Sequence, residues 1–349
     1  MPIKVFDFFS GCGGTSRGFT QAGLESVFAL DFDNDAVETF RANFPETVVE
    51  QRDIRELHVN SISELINAQC GNPILFCGCA PCQPFTKQNT SRTDKDERAP
   101  LLNSFSKFVE YYRPEYVFIE NVPGMQKVNA NSPFDAFCKK LDKMGYSFAT
   151  SVVAAQDYGV PQRRRRLVLL ASRVGEVELP EPTHGPSSGS DYSTVREWIA
   201  HFPPIDAGQQ HPDDLNHRAA KLAPINMERI RSTPPEGDRS AWPEHLKLDC
   251  HKNYNGHVDV YGRMKWDAPA TGLTTRCISL SNGRFGHPEQ DRAISVREAA
   301  AIQTFPDNFV FKGSLNSQAR QVGNAVPAKL AEVFGRHLLN HWEGGGNGR

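Results

Sequence analysis

The chain has 349 residues, 39% of them hydrophobic and 23% charged, which describes a globular protein with room for one large domain and a smaller one, and sets aside disordered and fibrous classes. No apolar run reaches the roughly eighteen residues of a membrane-crossing helix, and the opening MPIKVFDFFSGCGG has no basic segment followed by an apolar stretch, so a cytoplasmic protein is expected. The net charge of −2 neither advertises nor forbids a nucleic-acid partner, because phosphate contacts depend on local patches of Lys and Arg.

In chain order, IKVFDFF reads as a buried strand, and the GCGG turn leads into a helical segment through Ala22. Glu25–Asp31 is a second strand and Asn34–Asn43 an amphipathic helix. ILFCGCA is another apolar strand, Leu101–Tyr112 a helix, and EYVFIEN a strand with a polar end. Pro133–Met144 is helical, and YSFATSVVAA and RLVLLAS are the last two strands. Such alternation predicts an α/β fold with a doubly wound, mostly parallel sheet and sites at the carboxyl ends of its strands. The expected catalytic domain covers residues 1–178. Pro, Gly, His and Asn then become frequent, which predicts a loop-rich second domain over 179–290. Helical patterns in SVREAAAIQTF and PAKLAEVFGRHLLNHW predict a segment, 291–349, that packs back on the first domain before a flexible GGGNGR tail.

The eight cysteines, at 12, 70, 77, 79, 82, 138, 250 and 277, are not spaced as a disulfide framework. Cys77, Cys79 and Cys82 raise the question of zinc, but a second doublet is needed and only Cys250–His251 offers itself, so no metal is expected.

The glycines of DFFSGCGG let the backbone approach a ligand closely, and equally suit a tight structural turn. The spacing is not GxGxxG. Asp31, at the end of the second strand, is placed for ribose hydroxyls. Asp53 in QRDIREL is placed for an adenine amino group, with Ile54 against the ring. NAD and S-adenosylmethionine both satisfy this set. In GCAPCQPF, Cys82 is either a small buried thiol or a nucleophile. The second role requires nearby positive charge, because a free thiol has a pKa of about 8.5. QRRRRLVLL offers that charge: alternation on approach to the strand sends Arg164 and Arg166 to one side and Arg163 and Arg165 to the other, although an arginine run is also an ordinary solvated face. Glu120 in IENVPGM falls on the same presumed edge. It is either a helix cap or ion-pair partner, or a partly buried acid able to protonate a ring nitrogen.

The ordered set DFFSGCGG, DFD, RDI, APCQPF, ENVPGM, QRRRR, REAAAIQTFP and QVGNAVPAKL resembles the motif series of the DNA cytosine carbon-5 methyltransferases of bacterial restriction–modification systems, in unpermuted order. The resemblance implies a Rossmann-like S-adenosylmethionine-dependent methyltransferase fold, with the variable target-recognition domain between the two conserved ends. It implies that Phe8, Ser10, Gly11, Cys12, Gly13 and Gly14 cradle the methionine and ribose of S-adenosylmethionine. Asp31 and Phe32 would hold ribose and adenine, Asp53 and Ile54 the adenine edge and face. Pro81 and Leu101 would line the pocket, and Asn324 and Ala325 would close it. Cys82 is the implied nucleophile, Glu120 the partner of cytosine N3, Asn121 the residue ordering the following turn, and Arg164 or Arg166 the group holding the base oxygen and favouring the thiolate. Asp31 departs from the Glu common in the family, and Phe8-Phe9-Ser10 from Leu-Phe-Ala.

The implied reaction adds Cys82 to carbon 6 of a cytosine flipped out of double-stranded DNA, since carbon 6 is inaccessible within the stack. The polar stretch KQNTSRTDKDER is placed to close over the flipped base, and Gln83 and Arg98 at its margins to touch DNA. A monomer is expected, with no membrane partner and, as functional counterpart, a restriction endonuclease cutting the same site. The rival readings are a transfer-RNA methyltransferase of the same family, where Cys277-Ile278-Ser279 stands near the place of a Cys-Phe-Thr signature, an NAD-dependent dehydrogenase, and a catalytically dead relative, which would have lost the Cys or the Glu.

Overall fold

The apolar runs of the first half form the strands β1 (Lys4–Asp7), β2 (Glu25–Asp31), β3 (Val48–Gln51), β4 (Ile74–Cys77), β5 (Tyr116–Asn121) and β6 (Ser147–Ala154). A two-residue strand β7 (Gln162–Arg163) and the long β8 (Arg165–Ser172) follow. Seven of these make one sheet in the order β3-β2-β1-β4-β5-β8-β6. Pairing is parallel from β3 through β5, whereas β8 pairs antiparallel with both β5 and β6. The stretch between β6 and β8 explains this reversal: residues 155–164 are too few for a parallel crossover, which takes about a dozen or more. The chain therefore turns straight back, and the expected mixed, mostly parallel α/β sheet results.

The computed structural model describes residues 1–79, 99–124, 132–249 and 259–346. The chain divides into two compact units: Met1–Ala154, Arg165–Glu181 and Leu330–Arg349 form the first, Ala155–Arg164 and Pro182–Lys329 the second. Within the first unit, α1 (Gly14–Ala22), α2 (Asn34–Asn43), α3 (Ser63–Ala68), α4 (Ala99–Tyr112) and α5 (Pro133–Lys143) connect successive strands. Local chemistry fixes their ends. Asp33 caps α2 by accepting from Ala36 N, Ser132 caps α5 with Pro133 in its first turn, and Gly23 ends α1 in the left-handed region.

The core of this unit is aromatic. Phe8 touches Phe28, Phe76, Phe105 and Phe108, with ring centroids 4.9–5.8 Å apart and mostly edge-on or tilted. On the opposite face, Phe118 of β5 meets Phe19 of α1 and Phe334 of the helix Ala328–His341. Tyr116 ties that helix down further through a 2.8 Å hydrogen bond with His341 Nδ1. Among the described residues no helix is long and apolar enough to cross a membrane.

The second unit has little regular structure: short helices at Val195–Ile199, Pro224–Arg231, Val296–Ile302 and Leu315–Asn324, and β7 paired parallel with the two-residue β9 (Ala270–Thr271). Buried side chains replace the missing ladders. Arg292 and Glu298 are both almost wholly buried and joined by two 2.7 Å hydrogen bonds, while Arg292 also donates to the carbonyls of Ile205 and Ala293. Glu298 in turn accepts from Ser295 N, closing the capping box of the helix Val296–Ile302. Burial would raise the Glu298 carboxyl, but the Arg292 hydrogen bonds and charge hold it down at about 2.

Glu298→Gln should therefore destabilise the protein by about 3–5 kcal/mol, because it strands the Arg292 charge in the interior. Denaturant melts near neutral pH check the size. The pH dependence checks the cause: with a depressed folded-state pKa, the Glu298 contribution is present above the unfolded value of about 4.5 and fades as pH falls toward 2. The gap between the two proteins should close along that acid limb.

Candidate active site

Parallel pairing brings the carboxyl ends of β1, β2, β4 and β5 to one edge of the sheet, with Asp7 opposite Cys77, and Cys77 opposite Phe118. After β1 the chain turns sharply at Gly11 (φ 51°) and Gly13 (φ 96°), left-handed conformations that other residues adopt only with strain. A Cβ on Gly13 would lie 2.6 Å from the Phe44 ring, whereas nothing stands within 4 Å of one built on Gly11. The turn is thus packed on one side and open on the other. Asp31 holds it: Oδ2 accepts from Gly11 N at 2.8 Å and Oδ1 from Asp33 N at 2.9 Å. Burial raises the Asp31 carboxyl despite these bonds.

The remaining residues expected at the cofactor divide by role. Phe32, next along the chain, is 68% exposed, a large ring unburied at the end of β2. Ser10 donates from its hydroxyl and its N–H to Leu30 O, and Gly14 opens α1. Phe8 and Ile54 are buried in the core, and Leu101 of α4 packs partly against the same core. Asp53 caps a short 3-10 turn and is clamped by Arg55 at 2.6–3.1 Å, which keeps its carboxyl below the usual range. Asn324 is exposed at the end of its helix in the second unit, and Ala325 after it is buried.

Glu120 lies at the carboxyl end of β5, 7% exposed, with Arg166 Nε 2.8 Å from its Oε1. The pair is an ion contact, and the N–H is not aligned on the oxygen as a hydrogen bond would require. Asn121 beside it accepts from Val122 N and so shapes the turn that follows. Gly78 N bonds Phe118 O, so the chain leaving β4 runs alongside β5 as far as Cys79. Pro81, Cys82, Gln83, Arg98 and the stretch KQNTSRTDKDER lie outside the described residues.

Arg164 and Arg166 are placed differently. Arg163 and Arg165 are exposed and Arg164 is buried, in keeping with period two, but Arg164 belongs to the second unit and bonds backbone carbonyls there. Of the six described cysteines, five have thiols raised by burial: Cys12 and Cys277 to about 12, Cys138 to about 11, Cys77 and Cys79 well above the ordinary range. No group of His, Cys, Asp and Glu suited to a metal ion occurs among the described residues.

Comparison with known proteins gives the chain a family. The family profile "C-5 cytosine-specific DNA methylase" matches residues 3–340. The chain is 38% identical to the Type II methylase M.HgiDII of Herpetosiphon aurantiacus, over 97% of this chain and 96% of that one. It is 34% identical to the Type II methyltransferase M1.HphI of Haemophilus parahaemolyticus, over 97% and 87%. Among solved structures, a DNA modification methyltransferase encoded within a prophage of E. coli superposes with a TM-score of 0.75 at 22% identity, over 97% of this chain and 99% of that one. The chain belongs to the C-5 cytosine-specific DNA methylases and is a DNA cytosine-5 methyltransferase. The methyl donor implied for such an enzyme is S-adenosylmethionine. The described residues fit it: a glycine turn open at Gly11, the Asp31 carboxylate at its base, and the exposed Phe32 ring beside it.

Asp7 is the residue of this edge that sequence reading passed over. It is fully buried, accepts from Ser16 Oγ at 3.0 Å, and burial raises its carboxyl to about 7. Its only mark in the sequence is an acid inside the apolar run IKVFDFF. With the folded pKa above the unfolded 3.8, its contribution to stability is complete below about pH 4 and is lost as pH rises through 7. Asp7→Asn should therefore gain melting temperature relative to the parent as pH is raised from about 5 to about 8. Thermal melts that stay parallel over that range would refute the assignment.

Proposed function

We propose that this enzyme methylates carbon 5 of a cytosine flipped out of a specific double-stranded DNA sequence, by way of a covalent bond from Cys82 to carbon 6. The observation that carries the reading is the Glu120–Arg166 pair at the carboxyl edge of the sheet, beside the chain that leaves β4 toward Cys82. An acid donor and a fixed guanidinium are the two groups that an aminopyrimidinone ring needs at N3 and at its carbonyl oxygen.

The chemistry follows from the ring. Carbon 5 of cytosine is a weak nucleophile. The Cys82 thiolate adds to carbon 6, the sulfur–carbon bond forms, and the electron pair of the carbon 5–carbon 6 double bond shifts to make carbon 5 nucleophilic. Glu120 gives its proton to N3, so no negative charge accumulates on the ring, and Arg166 holds the carbonyl oxygen. Such general-acid assistance is typically worth about a hundred- to ten-thousand-fold in rate. S-adenosylmethionine, when bound, supplies an electrophilic methyl group to carbon 5. A water then removes the carbon 5 proton, the carbon 6–sulfur bond breaks with Cys82 leaving as thiolate, and N3 returns its proton to Glu120, which restores the neutral aromatic ring. The raised thiols of five other cysteines support Cys82 as the nucleophile, since a protonated buried thiol adds to nothing.

The likeness to enzymes named Type II methylases supports a protective role alongside a restriction endonuclease of the same specificity. Duplex DNA is proposed in preference to transfer RNA on the family match.

A duplex carrying 5-fluorocytosine at the target should trap the protein as a denaturation-resistant adduct, because fluorine cannot leave as a proton does. Absence of an adduct with active enzyme would overturn covalent attack. Cys82→Ser should form no adduct and transfer no methyl group while still binding S-adenosylmethionine. Glu120→Gln should slow transfer by about a hundredfold or more at saturating substrates, read in single-turnover assays.

A further inference from the structure

Among the described acids at the carboxyl edge, Asp7 is left without a task by the proposed reaction. It closes β1, just ahead of the glycine turn, and is wholly enclosed. Its Oδ2 accepts from Ser16 Oγ of α1 at 3.0 Å, and the Phe9 N–H also bonds the carboxyl. Oδ1 is buried and has no hydrogen-bond partner. An ionised Asp7 would therefore carry a bare oxygen in a low-dielectric interior, which is costly unless a cation faces it.

Among the described residues no cation faces it directly. Asp31 acts on it from the end of β2, and the neutral thiols of Cys77 and Cys79 adjoin it from β4 and the residues beyond. Glu120 of β5 lies past Cys79 and is itself paired with Arg166, and Cys12 of the turn is a further neutral, buried thiol beside Asp31. In these surroundings Asp7 keeps its proton to near neutral pH, its carboxyl being raised to about 7 chiefly by burial.

The same neighbourhood links Asp7 to whatever sits on the turn. Asp31 grips the turn through Gly11 N at 2.8 Å, and its negative charge opposes ionisation of Asp7. A positive charge seated on that turn acts along the same short path with the opposite sign. The turn has room for one at Gly11, where nothing stands within 4 Å of an added Cβ. The methyl donor is cationic at sulfur, and loss of its methyl group leaves a neutral thioether.

We infer that Asp7 is the residue by which the glycine turn registers the charge of its ligand. Asp7 gives its proton to solvent when S-adenosylmethionine binds, and takes one back once the sulfur is neutral. The inference rests on the reading of this turn as the seat of the methyl donor. It gives the enzyme a means of holding the substrate form of the cofactor more firmly than the spent form without any contact to the methyl group.

The test is calorimetric titration of the whole chain in phosphate and in Tris, whose different ionisation enthalpies reveal the protons released on binding. The ligand's α-amino group titrates at about pH 8, so the quantity to read is the difference between the parent and Asp7→Asn. At about pH 7 the parent should release about half a proton more than Asp7→Asn on binding S-adenosylmethionine, and no more than it on binding S-adenosylhomocysteine. Between about pH 6 and about pH 8, preference for S-adenosylmethionine over S-adenosylhomocysteine should rise about five- to tenfold more in the parent than in Asp7→Asn. Ser16→Ala keeps the acid and removes its hydroxyl donor, so the midpoint of proton release should move to higher pH. Equal release by the parent and Asp7→Asn, or a Ser16→Ala midpoint that stays in place, would overturn the inference. If Asp7→Asn does not fold, the Ser16→Ala midpoint alone decides. A parent protein that does not bind S-adenosylmethionine would instead sink the cofactor reading on which the inference stands.

Discussion

The reversal of one strand is the constraint on which the first unit's chemistry depends. In a wholly parallel sheet the carboxyl edge collects strand ends, and here those ends bring acids: Asp7, Asp31 and Glu120. Because β8 runs antiparallel beside β5, its beginning lies at that edge, with Glu120 paired to Val168 and Asn121 to Leu167. Arg166 is therefore next to Glu120. Had β8 run parallel, Ser172 would stand there and the arginines would emerge at the opposite edge. The short return between β6 and β8 thus has a chemical consequence, since it places a fixed cation beside an acid without a separate loop to carry it.

Much of the first unit was legible because local and tertiary preferences agree. Glu25–Asp31 and Asn34–Asn43 begin and end as the sequence pattern predicts, with Asp33 announcing the helix and an apolar run the strand. β3 lacks such a run: VVEQ lies at the sheet edge, largely half-buried or exposed, so little apolar surface marks it. The helix Leu315–Asn324 is obscured for the opposite reason. It buries Ser317, Gln321 and Gly323 alongside Ala319 and Val322, so polar and apolar residues share the inward face and the apolar stripe is thin.

The site was legible unevenly, for a related reason. Motif order points to Glu120 and to both arginines, and period two separates Arg164 and Arg166 from their neighbours. Nothing local says that two residues on one face of an arginine run have different partners. That difference is set by Leu273, Gly323 and Ala325, whose proximity to Arg164 is purely tertiary. Asp7 was hidden similarly, because a carboxyl whose proton is held by burial resembles any other aspartate until its surroundings are known.

Arginine in the second unit is largely a structural material. A loop-rich region leaves many carbonyls without ladder partners, and a planar fork with five N–H groups can satisfy several at once. Arg263 donates to the carbonyls of Ile230, Thr233, His287 and Gln290, Arg284 to those of Glu236, Gly237 and Arg263, and Arg297 to Phe309 O while paired with Asp214. Arg229 bonds Leu246 O and stacks on Trp242 and Tyr261. A count of basic residues therefore overstates the charge on offer to phosphates and base edges. Releasing any of these forks to grip DNA would strand buried carbonyls, at about 1–3 kcal/mol each, roughly what a good bidentate base contact returns. The trade gains nothing, so these forks stay with the backbone that they hold.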